Sequence, residues 1–434
     1  MNDKLLAEHL PPLSGHEAIV EANRCLFCFD APCTHACPTH INIPRFIKKI
    51  STDNLTGSAR TILESNLLGA TCSRVCPVEE LCEGACVLGS EHKPIMIGRL
   101  QRFAMDHVYN KRIDVFHPAA PTGSKVAVIG AGPAGLSCAG ELARLGHGVT
   151  IFEKRRLPGG LSTHGIIVLR EPVEVALEEV EMIKRLGVTI ETGVEAGVDI
   201  PLAELRGGYS AIFIGAGLGS VPHLGIPGEE LIEDGLAYIE KSKLQPGTLT
   251  KQQDVVVIGA GNTAIDCATI AKRLGTENVT IVYRRTDREM TAYDHEYAFI
   301  KNEGVTFRFR TQPVRVIVEN GVPAGLECVR MDLMEPDASG RPAPRPIAGS
   351  EFVIPARQII RAIGQYKPSL AQIFGLATDK GLIRVDHNFE TSIPAIYSGG
   401  DCIRAKGSAS TVMAVEDGKR AAQSIHQALG ASHG

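Results

Sequence analysis

The sequence predicts an α/β protein. A small α-helical domain precedes a dinucleotide-binding (Rossmann-like) domain, which is interrupted by a second domain of the same kind. Two observations carry this expectation. A strand, a glycine turn and a helix follow one another from Lys125, and the pattern recurs from Asp254. Ahead of both, residues 1–120 are rich in cysteine, proline and polar residues, with short helical patterns at 44–50 and 59–68. The expected boundaries are 1–120 for the helical domain, 121–250 and 366–434 for the two parts of the split domain, and 251–365 for the insert.

Length and charge narrow the function classes. A chain of 434 residues exceeds one compact core, so two to four domains are expected. Its formal net charge of −4 gives no reason to expect nucleic acid or an anionic membrane surface as partner. Residues 1–13 lack the apolar stretch of a secretory signal. No apolar run approaches the ~18 residues of a membrane span. A cytoplasmic protein is expected, and in that compartment paired cysteines are metal ligands or redox groups more often than disulfides.

The first glycine turn reads Gly130-Ala-Gly132-Pro133-Ala134-Gly135, between the buried strand from Lys125 and a helix over 136–145. Glycines there let the backbone approach a pyrophosphate, and the helix N-terminus supplies free N–H groups and a positive dipole end. A second strand over 149–152 ends at Glu153, near the offset at which an acid holds ribose hydroxyls. A glycine turn with no ligand is the plainer alternative, but strand, helix, second strand and acid all stand in order.

The second turn is Gly259-Ala-Gly261-Asn262-Thr263-Ala264, with Ala264 in the place of the third glycine. Its second strand, 279–283, ends in Arg284 and Arg285 instead of an acid. Arginines there accept a 2′-phosphate that a carboxylate repels, which favours NADP(H) over NAD(H). Two such turns suggest an FAD domain with a nicotinamide domain inserted in it. The closing segment, 395–429, supports this. A strand runs to Gly400 and Asp401, a small-residue loop follows, and a helix starts near Thr411. Gly159 and Gly160, followed by Leu161, are expected beside the flavin. The linker at 117–124 and the stretch 334–347, rich in proline and small residues, are expected to be loops.

Eight cysteines lie near the N-terminus. Cys25, Cys28, Cys33 and Cys37 have the spacing C-x2-C-x4-C-x3-C-P, and Cys72, Cys76, Cys82 and Cys86 the spacing C-x3-C-P-x4-C-x3-C. Close spacing lets successive thiolates reach the corners of one cluster, and a final Cys-Pro often sends its thiolate to the other. Zinc favours paired C-x2-4-C knuckles. The Cys-Pro elements and the flavin context point to two iron–sulfur clusters, although the second group's uneven rhythm makes four-plus-four bookkeeping suspect. Cys138 and Cys267, on predicted core helices, read as packing residues. His35 and His40 read as surface or supporting groups.

With these residues in view, the chain resembles the electron-input part of dihydropyrimidine dehydrogenase, within a wider family that includes the small subunit of glutamate synthase. The resemblance rests on Cys25-Leu-Phe-Cys-Phe-Asp-Ala-Pro-Cys33, on Leu68-Gly-Ala-Thr-Cys-Ser-Arg-Val-Cys-Pro77, and on Pro94-Ile-Met-Ile-Gly98 with Leu100-Gln101. It implies two [4Fe–4S] clusters with interleaved ligands: Cys25, Cys28, Cys33 and Cys86 for one, and Cys37, Cys76, Cys82 and Gln101 for the other. Cys72 is then a neighbour. In glutamate synthase small subunits an acid is expected where Gln101 stands.

The resemblance further implies flavin contacts at Gly132, Pro133, Ala134, Gly135, Glu153, Lys154, Gly160, Leu161, Arg170, Asp401 and Thr411. It implies nicotinamide contacts at Gly261, Asn262, Thr263, Ala264, Arg284 and Arg285. A further arginine of the animal enzyme has no counterpart in Glu289-Met-Thr291, and the bacterial branch implies NADH, so NADH and NADPH both stay open. The implied function is electron input: hydride from NAD(P)H to FAD, then single electrons through both clusters to a partner. That partner is an FMN- and iron–sulfur-containing catalytic subunit, in a hetero-oligomer, that reduces uracil or thymine. No general acid or base is expected in this chain. Delivery to a glutamate synthase large subunit, a redox-silent scaffold and a standalone reductase are the alternatives.

Overall fold

The protein is described by a computed structural model, which defines residues 8–336, 340–404 and 410–431. The chain forms two compact units. One gathers His9–Thr163, Val173–Leu218 and Lys367–Gly434; the other contains His164–Pro172 and Gly219–Tyr366.

The first unit opens with helices. α1 (Gly15–Asn23) starts in a capping box, in which the Ser14 side chain accepts from Glu17 N–H and the Glu17 side chain accepts from Ser14 N–H. α2 (Pro32–Ala36) carries Cys33, and α3 (Ile43–Ser51) covers the stretch expected at 44–50. α4 (Leu55–Leu63) begins four residues before the helix expected at 59–68 and ends five before it. Asn54 sets that start by accepting from Gly57 N–H at 2.9 Å, a cap that the apolar run concealed. α5 (Gly69–Val75) and α6 (Ile97–Asn110) complete the set. Phe46, Ile47 and Ile50 on α3 repeat at helical spacing and are fully buried against Ile62 and Leu63 of α4 and Leu100, Ala104 and Met105 of α6. Each large apolar side chain so buried contributes about 1.5–3 kcal/mol.

The expected linker at 117–124 holds neither helix nor strand. After it comes a parallel sheet of β1 (Lys125–Ile129), β2 (Gly148–Glu153), β3 (Thr189–Thr192), β4 (Ala211–Ile214) and a closing strand, Ile396–Ser398. Their order is closing strand, β4, β1, β2, β3. β1 reads as a continuous apolar run because both faces of the sheet are covered. α7 (Pro133–Arg144) follows the first glycine turn, α8 (Val173–Arg185) precedes β3, and a terminal helix spans Thr411–Ala431. Gly418 lets the terminal helix lie on α7; a Cβ there would sit 2.2 Å from the Ala134 carbonyl oxygen. The small-residue loop expected after Asp401 falls at 405–409, outside the described residues.

In the second unit, β5 (Glu233–Asp234), β6 (Asp254–Ile258), β7 (Asn278–Val282), β8 (Thr306–Arg308) and β13 (Gln358–Arg361) form a parallel sheet in the order β5, β13, β6, β7, β8. A separate antiparallel sheet is built on β10 (Val322–Pro336), which pairs with β9 (Thr311–Glu319), β11 (Pro342–Pro346) and β12 (Phe352–Pro355). This corrects the expectation of a loop at 334–347, which contains the end of β10 and all of β11. Pro342, Pro344 and Pro346 stand at alternate positions of an edge strand, so their missing N–H groups all fall on one side. An edge strand tolerates such prolines, whereas a central strand would lose ladder hydrogen bonds to them. Ile167, Val168 and Leu169, from the short segment after Thr163, are buried in this unit's core. Cys138 and Cys267 are fully buried, as the sequence predicts. Among the described residues no helix is long and apolar enough to cross a membrane.

Inside the first unit, one carboxylate ties the helical part to the flavin-type part. Glu179 on α8 is buried and accepts from Ala70 N–H (2.7 Å), Thr71 N–H (3.1 Å) and the Thr71 hydroxyl at the start of α5. The Tyr109 hydroxyl of α6 lies 3.4 Å away. Lys419 of the terminal helix adds a second tie, donating to the carbonyls of Thr39 and Ser65. We predict that Glu179→Ala costs about 2–3 kcal/mol by leaving buried donors unpaired. Its half-buried neighbour Glu178 makes only a 3.4 Å ion pair with the partly exposed Arg185, so Glu178→Ala should change stability by about 0–1 kcal/mol. Chemical denaturation of both variants checks this, and equal stabilities would remove Glu179 as a tie.

Candidate functional site

The eight cysteines surround two adjacent chambers, not one. Cys25 leaves the end of α1, and Cys28 follows Phe27, whose backbone is left-handed (φ 52°). Cys33 sits on α2, and Cys86 comes from the far end of the second cysteine group. These four line the first chamber with Leu26, Pro32, Ile43 and Val87, around about 370 Å³ free of protein atoms, its solvent-open mouth included.

The second chamber, of about 380 Å³, takes Cys37 from the end of α2, Cys72 and Cys76 from α5 and its C-cap, Cys82, and Gln101 from α6. Ile43 belongs to both linings, so the chambers are neighbours. The Gln101 amide is oriented by its surroundings. Nε2 donates to the Gly69 carbonyl at 2.7 Å, which leaves Oε1 as the end with ligand capacity. Cys72 had no expected role as ligand, yet it is in the lining, so five donors face this space.

The donor chemistry fits clusters better than zinc. Zinc–sulfur bonds of about 2.3 Å require thiolates to converge on a point. Among the described residues no three Cys, His, Asp or Glu side chains do so. All twelve cysteines are free thiols. Burial pushes the Cys33 thiol up to about 11, and its neighbours Cys86 and Cys25 add to the shift. A hydrogen bond with Cys72, and then burial, raise Cys76. Burial followed by Cys37 raises Cys82. These thiols would have to lose protons to bind a cluster. His35 lies outside both linings and pairs with Asp30 on the surface; His40 is exposed. Asn66 and Val412 also line the second chamber. Sequence spacing gave no sign of them, because they come from the turn before α5 and from the terminal helix.

The first glycine turn forms a cradle. Gly132 caps α7 without a side-chain hydrogen bond, which leaves the helix's first N–H groups for a phosphate. A Cβ at Gly135 would lie 1.9 Å from the Gly130 oxygen. One at Gly160 (φ 59°) would lie 2.6 Å from the Gly132 Cα. Gly159 N–H bonds the Ala131 carbonyl at 2.8 Å. A Cβ at Gly400 (φ 74°) would come within 3.0 Å of the Ala134 Cβ and 3.6 Å of the Ala414 Cβ, in the first turn of the helix that Thr411 begins. Residues 130–135, 159–160, 400–401 and 411 are thus gathered at one place.

Glu153 accepts from Ala131 N–H and Arg155 N–H, both at 2.8 Å, so its carboxylate braces the turn and keeps lone pairs for hydroxyls. Burial, then the neighbouring Asp417, raise the Asp401 carboxyl, against Arg404. Lys154 and Leu161 are exposed. Arg170 belongs to the second unit. Its guanidinium is held there between Asp266 (2.6 Å) and Glu296 (2.7 Å), a cluster that sequence spacing did not reveal.

In the second unit, Gly261 caps α9 (Asn262–Arg273), again with no side-chain cap. Gly259 (φ 127°) admits the Ala362 oxygen, 2.1 Å from where a Cβ would stand. Asn262 accepts from Tyr293 N–H at 3.3 Å, Thr263 opens the helix beside it, and Ala264 is fully buried. The two arginines part company. Arg284 is exposed, whereas Arg285 is 2% exposed and donates through Nε to the Pro342 carbonyl. Thr286 and Glu289 close a capping box just beyond them, and the Thr286 hydroxyl holds the Glu289 carboxyl below its ordinary range.

Comparison with known proteins agrees with this division. Residues 3–113 match the family model described as dihydropyrimidine dehydrogenase domain II, 4Fe-4S cluster. Residues 124–428 match that of pyridine nucleotide-disulphide oxidoreductase. The NAD-dependent dihydropyrimidine dehydrogenase subunit PreT of Salmonella typhimurium is 35% identical over 98% of this chain and 97% of its own. The glutamate synthase [NADPH] small chain of Escherichia coli is 34% identical over 95% and 92%. Thioredoxin reductase of T. acidophilum shares the fold, with a TM-score of 0.56 and 23% identity over 70% of this chain and 98% of its own.

Proposed function

The chain belongs to the pyridine nucleotide-disulphide oxidoreductase family, extended at its N-terminus by a 4Fe-4S domain of the dihydropyrimidine dehydrogenase type, and from that premise we propose a specific role for this NAD(P)H-dependent, FAD- and [4Fe–4S]-containing oxidoreductase. It is the electron-input subunit of a dihydropyrimidine dehydrogenase. Its partner is a PreA-like catalytic subunit with FMN and iron–sulfur clusters, which reduces uracil or thymine to the 5,6-dihydropyrimidine. Identity does not separate this reading from the glutamate synthase alternative, since the two relatives differ by one per cent. The observation that carries it is Gln101, whose Oε1 is left for a cluster where the glutamate synthase branch is expected to have an acid. A cytoplasmic location accords with seven thiols kept as ligands, which a reducing compartment protects.

When bound, FAD accepts hydride from the nicotinamide and the clusters take single electrons onward. The rest is what the chain does. The uncapped N-termini of α7 and α9 would bind the two pyrophosphates, Glu153 braces the flavin turn, and Gly160 and Gly400 let their loops pack closely against that turn at Gly132 and Ala134. Val412 lines the second chamber one residue after Thr411, so that chamber is the nearer to the flavin cradle. Ile43 also lines the first chamber, where the exposed Leu26 and Val87 mark the exit toward a partner. The committed Arg285 and the carboxylate of Glu289 support NADH as the donor.

Two predictions follow from this reading. Gln101→Ala disturbs the electron paramagnetic resonance (EPR) signal of one reduced cluster, and Cys72→Ala leaves both intact; the reverse outcome transfers the fourth ligand to Cys72. Mixed with an FMN-bearing dihydropyrimidine dehydrogenase subunit, the chain supports uracil-dependent NADH oxidation. Failure with that subunit, together with glutamine- and 2-oxoglutarate-dependent oxidation alongside a glutamate synthase large subunit, would overturn the assignment.

A further inference from the structure

One buried polar group of the second chamber is neither a thiol nor the Gln101 amide. Asn66 is 1% exposed and lines that chamber. Its amide orientation is fixed by chemistry: the Leu68 N–H, 2.9 Å away, is a donor, so the atom it meets must be Oδ1. The other end, Nδ2, is buried with no hydrogen-bond partner among the described residues. An amide N–H so placed is expected to have an acceptor. Of the carbonyls close to it in sequence, Ser65 takes Lys419 and Gly69 takes Gln101. The chamber that Asn66 lines is bordered by the thiols of Cys37, Cys72, Cys76 and Cys82.

Building on the cluster reading above, we propose that Asn66 Nδ2 donates a hydrogen bond to a sulfur of the cluster in the second chamber and raises that cluster's reduction potential. Reduction adds negative charge to the sulfurs, so a donor aimed at one of them favours the reduced form. The two amides then have opposite roles. Gln101 is turned by Gly69 to present oxygen to iron, and Asn66 is turned by Leu68 to present N–H to sulfur. The consequence is directional. The cluster beside the flavin cradle is made the better electron acceptor, in the chamber where one thiolate ligand is replaced by a neutral amide. Asn66 is a positioning and tuning residue and touches neither nicotinamide nor partner.

The test is a redox titration of the whole chain, followed by EPR, on wild type and Asn66→Leu. The variant should lower the reduced-to-oxidised ratio of the second-chamber cluster about tenfold at fixed potential, about 59 mV for one electron, and leave the first-chamber cluster unchanged. Pulsed EPR on wild type carrying isotope-labelled asparagine side-chain nitrogen should show a hyperfine coupling to the same cluster. That measurement decides the matter alone if the leucine variant fails to assemble. Two unshifted potentials in an assembled variant, or no nitrogen coupling in wild type, would overturn the role of Asn66 and leave the cluster reading standing. Absence of any [4Fe–4S] signal in wild type would overturn the reading beneath it.

Discussion

A four-iron cube must be held at four corners, and each chamber of this chain is lined by thiols from both ends of its N-terminal segment. The first chamber takes three thiols from the α1–α2 region and closes with Cys86; the second takes Cys37 from the first group and the remainder from residues beyond Leu68. Neither chamber can form from one stretch alone. The helical core of Phe46, Ile47, Ile50, Leu100 and Met105 therefore has a second task besides stability, which is to bring residues 25–37 against residues 72–101. Everything downstream depends on that crossing, including the adjacency of the chambers at Ile43.

The same economy governs the join to the flavin-type part. Glu179 caps the start of α5, the helix that ends at Cys76, and Lys419 holds the backbone at Thr39, two residues past Cys37. Both ties reach segments that carry second-chamber thiols. The terminal helix does more than close the fold, since its first turn borders Gly400 on one side and contributes Val412 to the chamber on the other.

The fold class, both glycine turns and the closing strand and helix were legible in the sequence, because each has a local signature: an apolar run, a glycine turn, then a helical period. Local signatures were also where the reading failed. Asn54 moved a helix forward by capping it, and alternating prolines disguised an edge strand as a loop. Within the site, cysteine spacing announced the thiols but not their partition between two chambers, which came from resemblance to a family. Asn66, Val412 and the Arg170–Asp266–Glu296 cluster left no trace in spacing, because tertiary contacts assemble them from distant segments. Arg285 was legible only by residue type. That type suits a 2′-phosphate, whereas its burial and the bond from Nε to the Pro342 carbonyl depend on a strand that the sequence disguised as a loop.

The central claim is the crossed pairing of the two cysteine groups, and Cys86 tests it most directly. Cys86 belongs by sequence to the second group and by structure to the first chamber. EPR of the reduced protein should show that Cys86→Ser loses the same cluster signal as Cys28→Ser and keeps the one that Cys82→Ser loses. If Cys86→Ser instead shares its loss with Cys82→Ser, each group holds its own cluster and the account of the interleaved chambers is wrong.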